Sequence, residues 1–129
     1  MRVLLDTHVW LWMLAAPEQL RSARALIVDA RVELLLSAAS SWEIAIKYTI
    51  GRLPLPSPPA HYVPDRIRSS GVVPLAVEHS HTLKVGELPR HHNDPFDRLL
   101  VAQAQALGVP LMTADPIFDA YELNLIEIA

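Results

Sequence analysis

Four acidic residues share one kind of position along the chain, the point where a predicted strand has ended and a predicted helix is about to begin. They are Asp6 in VLLDTH, Glu43 in SAASSWEIA, Asp97 in NDPFDRLL and Asp115 in MTADPIF. In an open parallel sheet the carboxyl ends of the strands lie along one edge, where such folds bind their ligands. The pattern therefore predicts that these four side chains converge at one edge of a sheet.

Each acid also has a structural explanation, because Asp, Asn and Ser side chains accept hydrogen bonds from free N–H groups at helix N-termini. Ser40 and Glu43 fit the S-x-x-E capping box, and Asp94 and Asp115, each followed by proline, fit an N-cap. Since Asp94 suffices to cap its helix, Asp97 in the first turn has no backbone role that requires a carboxylate. We therefore expect Asp97 to be free for chemistry.

The chemistry that fits several converging carboxylates is the binding of a hard divalent cation. Unit charges about 5 Å apart repel by a few kcal/mol at an effective dielectric of about 20, and a cation between them removes that repulsion. Oxygen ligands without cysteine favour magnesium (Mg2+), with manganese (Mn2+) as a substitute. A bound metal lowers the pKa of a water molecule and neutralises charge that develops on a phosphate. The acids therefore indicate metal-dependent hydrolysis of phosphodiester bonds.

The composition is that of an ordered globular protein. At 129 residues, 51% of them hydrophobic and 19% charged, the chain is long enough for a single domain, residues 1–129, with its own core. The absence of cysteine excludes a disulfide scaffold, a thiolate zinc site and cysteine catalysis, and it suits a reducing cytoplasm. No apolar run approaches the ~18 residues of a membrane span, since Asp6 and His8 interrupt the N-terminal apolar stretch. We therefore expect a soluble, cytoplasmic protein with no membrane partner.

Short apolar runs alternate with helical patterns along the chain. Strands are predicted at residues 2–5, 33–36, 72–75, 110–113 and 125–128. Helices are predicted at residues 9–15, 22–30, 40–50, 60–70, 77–84 and 95–107, with Gly51, Gly71 and Gly108 at three of their ends. Alternation of this kind predicts an α/β fold in which a parallel sheet carries helices on both faces.

The segments that carry the acids resemble a known family. LLDTH, SAASSWEIAIK, DPFDRLLVAQA and LMTAD are similar to the PIN-domain ribonucleases, and specifically to the VapC-type toxins of bacterial VapBC toxin–antitoxin pairs. The resemblance spans essentially the whole chain, with DPFDRLLVAQA as its most specific part and the proline-rich residues 52–71 as its weakest. It implies a single PIN-like domain with a five-stranded parallel sheet in the order 3-2-1-4-5.

The resemblance also implies a function and partners. It implies a magnesium-dependent endoribonuclease that forms a homodimer, with a cognate VapB-type antitoxin that blocks the active site. Carried over position by position, the metal-binding and catalytic acids of the family fall on Asp6, Glu43, Asp97 and Asp115. The chain departs from the family in two respects, since position 8 is His8 where many members carry Asn and the formal net charge is −3.

Contacts with RNA must be local, because a negative net charge excludes a general attraction to phosphates. Lys47 follows Glu43 by four residues, a spacing that fits either an ordinary ion pair or a cation that contacts RNA phosphate. Arg98 and His8 are further candidates for contact with RNA. Ser37 and Asp94 are candidates to support the metal ligands, although each also fits a helix cap.

Histidine and tryptophan side chains near these segments have a structural interpretation and a functional one. His91 and His92 fit a solvated loop, with contact to RNA as the second interpretation. Trp10, Trp12 and Trp42 could stack on bases, but the apolar surroundings of Trp42 favour the core or a dimer interface for all three. The helix at residues 40–50 is accordingly the candidate for a subunit contact.

Two other functions compete with a metal-dependent endoribonuclease. A phosphatase with Asp6 as its covalent nucleophile usually carries a second Asp two residues on, where this chain has His8. A non-catalytic pocket that binds magnesium as a switch pairs its acids with a basic residue after a late strand, and residues 113–129 contain no Lys or Arg. Both departures favour hydrolysis of RNA by a metal-activated water.

Overall fold

A five-stranded parallel sheet organises the protein, whose computed structural model describes residues 1–128. The strand order is β3-β2-β1-β4-β5, and all four strand pairs are parallel, which confirms the predicted fold class and order. Ala129, the last residue of the predicted domain, lies outside the described residues. The strands are β1 (Arg2–Leu5), β2 (Glu33–Ser37), β3 (Val73–Leu75), β4 (Leu111–Thr113) and β5 (Leu125–Glu127).

Six α-helices and two 3-10 helices connect the strands. The α-helices are α1 (Thr7–Ala15), α2 (Arg24–Ile27), α3 (Ala38–Thr49), α4 (Pro59–Ser70), α5 (His79–Val85) and α6 (Pro95–Leu107). The 3-10 helices are Pro17–Ala23 and Pro116–Ala120. None of the helices within residues 1–128 is long and apolar enough to span a membrane.

The helix predicted at residues 22–30 is confirmed only in part. An α-helix, α2, forms over Arg24–Ile27, but it is preceded by the 3-10 helix that ends at Ala23. Arg21, with φ 49° and ψ −125°, has a non-helical conformation and interrupts this 3-10 helix. Leu20 and Ala23, on either side of the interruption, are both buried in the core.

Alternation along β1 divides the core between the two faces of the sheet. Val3 and Leu5 pack on one face together with Trp10 of α1, while Leu4 packs on the other face with Leu100 of α6. All five side chains are at most 1% exposed. Since β1 is covered on both sides, its continuous apolar run fits a buried strand of a parallel sheet. The carboxyl ends of β1 and β4 are thereby fixed as neighbours in the sheet.

A buried glutamine joins the helical layer to the end of β2. The hydroxyl of Ser37 donates to Gln103 Oε1 at 2.5 Å, and Gln103 Nε2 donates to the carbonyl of Ala76 at 3.2 Å. Ser37 and Gln103 are fully buried. Buried polar groups cost free energy unless they are hydrogen-bonded, so this pair specifies how α6 sits against the sheet.

We expect Gln103→Leu to lower the free energy of unfolding by about 1–3 kcal/mol, because the buried Ser37 hydroxyl loses its acceptor. Gln105→Leu is the matched control on the same helix. Its amide makes one exposed bond to the Glu122 carbonyl, so its effect should stay within about 0.5 kcal/mol. Urea unfolding measures both, and equal effects of the two variants would contradict the role of Gln103.

Candidate active site at the carboxyl edge of the sheet

Asp6 lies directly after β1 with its carboxylate directed to the neighbouring strand. It occupies the N-cap position of α1, yet its side chain makes no capping hydrogen bond. Instead Asp6 Oδ2 accepts from Thr113 Oγ1, at the end of β4, at 2.8 Å. Asp6 is only 5% exposed. The buried Asp6 carboxylate is thus held between the ends of β1 and β4 and does not cap α1.

Glu43 lies in the second turn of α3 and is 4% exposed. Lys47 Nζ donates to Glu43 Oε2 at 2.6 Å, which confirms the predicted i,i+4 ion pair. Burial alone would lower the pKa of Lys47, but the bond to Glu43 and the charges of Asp94 and Asp97 outweigh it and raise that pKa. The Lys47 ammonium therefore sits within the field of three carboxylates.

The capping box predicted for Ser40 and Glu43 is wrong. The helix begins at Ala38, directly after β2, and its N-cap is Ser37, whose hydroxyl accepts from the Ala39 N–H at 3.0 Å. Ser40 lies inside the helix and accepts from Thr7 Oγ1 at 2.8 Å. Because the Ser37 hydroxyl accepts the capping bond from Ala39 and donates to Gln103 of α6, the capping interpretation of Ser37 is the one that fits. Glu43 then has no capping role.

The two aspartates of NDPFD divide their roles as the sequence predicts. Asp94 Oδ1 accepts from the N–H groups of Phe96 and Asp97, each at 2.9 Å, and so caps α6. The Asp97 carboxylate makes no capping bond; its Oδ2 lies 3.2 Å from His92 Nε2. Asp97 is therefore a surplus carboxylate in the first turn.

Asp115 has a capping role that the sequence also anticipates. Its Oδ1 accepts from the Ile117 N–H at 3.0 Å and caps the second 3-10 helix. The residue is exposed and lines a small cavity of about 120 Å³. Asp119 and Glu127 line the same cavity, and both were missed because a single acid in a turn or at a strand end carries no signal.

The acids influence one another electrostatically. Burial, followed by the negative charges of Asp94, Asp6, Glu43 and Asp115, raises the pKa of Asp97 to about 8. Burial also raises the pKa of Asp6, against the opposing effects of the Thr113 bond and of His8, and Glu43 adds to the increase. Because such influence falls with distance, the fold brings the predicted acids into one electrostatic neighbourhood.

The carboxylates are not arranged as a finished metal site. Within residues 1–128 there is no group of three or more His, Cys, Asp or Glu side chains that could hold a metal ion. Each predicted ligand is turned to a protein donor: Asp6 to Thr113, Glu43 to Lys47, Asp97 to His92 and Asp115 to a backbone N–H. The prediction of metal ligands therefore stays a prediction, and it requires at least Glu43 to turn from Lys47.

A cavity of about 260 Å³ adjoins Glu43 and has a mixed wall. The cationic side chains of Lys47 and Arg52 and the ring of His8 line it together with apolar side chains such as Leu11 and Leu53. His8 is exposed, and the Lys47 side chain is 36% exposed. Positive side chains beside buried acids are suited to a phosphate backbone that approaches the carboxylates.

Arg98 does not contact solvent as an RNA-binding side chain would, and its predicted role is wrong. The residue is 9% exposed. Nη1 donates to the Pro89 carbonyl at 2.8 Å and to Tyr121 Oη at 3.1 Å, while Nη2 donates to the carbonyls of Val85 and Leu88 at 3.1 and 3.4 Å. The guanidinium is thus used to fasten residues 85–89 to α6.

His92 is likewise not part of a solvated loop, and that prediction is wrong. Its side chain is 16% exposed, with Nδ1 2.7 Å from Tyr121 Oη and Nε2 3.2 Å from Asp97 Oδ2. His91 is exposed, as predicted, and its ring packs edge-on against Tyr121. Tyr121 and Thr113 are residues of this site that the sequence did not reveal, because their partners lie far away along the chain.

The three tryptophans differ in their environments. Trp10 is fully buried, and Trp12 is partly buried against the same core. Trp42 is 59% exposed and meets Phe96 edge-on with 5.1 Å between ring centroids. The core interpretation is therefore wrong for Trp42, which leaves the predicted subunit contact through α3 as a prediction.

Comparisons with known proteins agree with this geometry. The family model described as PIN domain matches residues 3–123. Ribonuclease VapC16 of Mycobacterium tuberculosis is 54% identical over 67 residues, which is 52% of this chain and 48% of that protein. The chain thus matches about half the length of this relative. Ribonuclease VapC22 of the same organism is 31% identical over 116 residues, 88% of this chain and 86% of the relative.

A solved structure shows the same fold at low sequence identity. The protein superposes on a chain of the VapBC2 complex from Rickettsia felis, crystallised with a DNA fragment from its promoter, with a TM-score of 0.76 and 15% identity over the full length of both chains. At that identity the likeness shows the fold alone. The family match over residues 3–123 and the near full-length match to VapC22 show that the chain belongs to the PIN-domain family, within its VapC group.

Proposed function

We propose that the protein is a magnesium-dependent endoribonuclease that hydrolyses RNA phosphodiester bonds, and that it acts as the toxin of a toxin–antitoxin pair in the cytoplasm. The observation that carries the proposal is the crowding of carboxylates at the carboxyl edge of the sheet, where burial, followed by the negative charges of Asp94, Asp6, Glu43 and Asp115, raises the pKa of Asp97 to about 8. Strongly perturbed pKa values cluster at active sites, where burial and like charges are brought together. The relatives VapC16 and VapC22, which are named ribonucleases, support the choice of reaction.

The donor set fits magnesium in its chemistry. Asp6, Glu43, Asp97 and Asp115 offer only hard oxygen ligands, and the part of the chain that the structure describes contains no thiolate to favour a softer metal. When bound, magnesium would supply the positive charge that makes water more acidic and offsets charge on the phosphate. Binding requires Glu43 to exchange Lys47 for the metal, which frees the Lys47 ammonium for a phosphate oxygen.

The side chains of the protein have separate tasks in this reaction. Thr113 holds Asp6 at the strand end, and one carboxylate of the set accepts a proton from the attacking water. Lys47, Arg52 and His8 line the adjoining cavity and contact the RNA backbone. Hydrolysis then needs no nucleophilic side chain, which distinguishes it from the phosphatase reaction at Asp6.

Partners follow from the same charge distribution. We propose that a VapB-type antitoxin inhibits the enzyme by offering Arg or Lys to the acids in place of the metal, since a cationic side chain relieves the same repulsion. The structural neighbour from Rickettsia felis is a VapBC complex. We further propose a homodimer that uses three exposed apolar side chains, Trp42 and Ile46 of α3 and Ile50 at its C-cap.

We expect Asp97→Asn to reduce RNA cleavage in magnesium by at least about 100-fold, because the neutral amide neither attracts the cation nor accepts a proton. Asp65→Asn is the matched control, because Asp65 lies on α4 and pairs with Arg66. Cleavage of single-stranded RNA by purified protein measures the effect. Full activity of Asp97→Asn, or activity of the wild type in excess chelator, would refute the proposal.

The raised pKa of Asp97 makes the stability of the metal-free protein depend on pH. The usual pKa of 3.8 applies in the unfolded chain and a pKa of about 8 in the folded one, so the folded state holds an extra proton between these values. This contribution to stability is therefore lost as pH rises from about 4 to about 8. Asp97→Asn has no carboxyl group to titrate. We therefore expect its free energy of unfolding to rise relative to that of the wild type between pH 5 and pH 8.

Urea unfolding in chelator at both pH values tests this expectation, and magnesium at pH 8 should then stabilise the wild type more than Asp97→Asn. Parallel pH dependence of the two proteins would show that Asp97 is not held in a conflict of charges.

A further inference from the structure

A buried chain of hydrogen bonds ends at Asp97 and runs through side chains that the mechanism above does not use. Arg98 Nη1 lies 3.1 Å from Tyr121 Oη, and Tyr121 Oη lies 2.7 Å from His92 Nδ1. His92 Nε2 lies 3.2 Å from Asp97 Oδ2. Tyr121 is 5% exposed, and the side chains of His92 and Asp97 are each 16% exposed. Little water therefore competes for these bonds.

The direction of each bond follows from the donor at the start of the chain. A guanidinium only donates, so Tyr121 Oη accepts from Arg98. The Tyr121 O–H then donates to His92 Nδ1, the acceptor that it contacts among residues 1–128. A ring nitrogen that accepts carries no proton, so the neutral imidazole carries its proton on Nε2. Nε2–H therefore donates to Asp97 Oδ2.

The Arg98 guanidinium, at which this series of hydrogen bonds begins, is rigid. The other three N–H groups of the two Arg98 Nη atoms are held by the carbonyls of Val85, Leu88 and Pro89. Within the described part of the chain, no buried side-chain nitrogen or oxygen is left without a partner. A guanidinium held by so many acceptors cannot turn without breaking several of them, so it fixes the Tyr121 hydroxyl and, through it, the His92 ring.

We propose that His92, oriented by Tyr121 and Arg98, is a positioning residue that fixes the carboxylate of Asp97 by donating to its Oδ2. One oxygen is then committed to the ring, and rotation of the carboxylate is restricted. The inference rests on the proposed function, because it assigns to His92 the orientation of a metal ligand. Partners of this kind orient ligands, and their loss typically weakens metal binding by about 10–100-fold.

The tautomer of His92 tests the chain of bonds without any reference to activity. Nitrogen-15 NMR of the metal-free protein at about pH 9, above the pKa of about 8 of Asp97, reports which ring nitrogen of His92 carries the proton. We expect Nε2–H in the wild type and in the control Tyr62→Phe, and a mixture of tautomers in Tyr121→Phe. An Nδ1–H ring in the wild type, or a ring unaffected by Tyr121→Phe, would overturn the proposal.

The affinity for manganese tests the effect on Asp97. We expect His92→Leu to weaken Mn2+ binding about 10–100-fold, and His92→Gln, whose amide N–H can replace Nε2–H, to stay within about threefold of the wild type. His61→Leu, an exposed position on α4, is the control. Circular dichroism checks that each variant is folded.

The outcomes separate this inference from the proposed function. Wild-type affinity in folded His92→Leu, or weak binding in folded His92→Gln equal to that of His92→Leu, would overturn the positioning role. If the wild type binds no Mn2+, the metal-dependent function fails, and the positioning role fails with it whatever the tautomer of His92 is.

Discussion

The mutual repulsion of carboxylates at one edge of a parallel sheet is the constraint on which the site depends. The fold creates it by burying Asp6 and Glu43 beside the first turn of α6. The pKa of Asp97 is raised most, by its own burial and then by these neighbouring charges. Two protein donors offset part of this repulsion, since Lys47 pairs with Glu43 and Thr113 bonds to Asp6. A divalent cation would offset the repulsion more completely, because one doubly charged ion can face several carboxylates at once.

Lys47 explains how a metal-free protein tolerates this arrangement. Its ammonium compensates Glu43 at 2.6 Å and lies in the field of Asp94 and Asp97. Under the proposed function, three states of the protein would differ in which cation faces the acids: Lys47 in the free protein, magnesium in the active enzyme, and a cationic side chain of the antitoxin in the inhibited complex. Competition among cations for one group of carboxylates would then connect stability, catalysis and inhibition.

Features that depend on neighbouring residues were predictable from the sequence, and features that depend on distant partners were not. The strand order follows from the family resemblance and the cap role of Asp94 from local chemistry, and both predictions are confirmed. The catalytic role of Asp97 stays a prediction. The capping box failed because the helix begins directly at the strand end. His92 and Arg98 were misassigned because each bonds to Tyr121, which lies 29 and 23 residues further along the chain. A loop histidine and a helical arginine acquire their roles only when that tyrosine is folded against them.

If these carboxylates share one divalent cation, anomalous diffraction from crystals grown with manganese will locate it. We expect a strong anomalous peak between the oxygens of Asp6, Glu43, Asp97 and Asp115, with the Lys47 ammonium displaced from Glu43. Saturating manganese with no peak at this edge of the sheet, and Lys47 still bonded to Glu43, would contradict it.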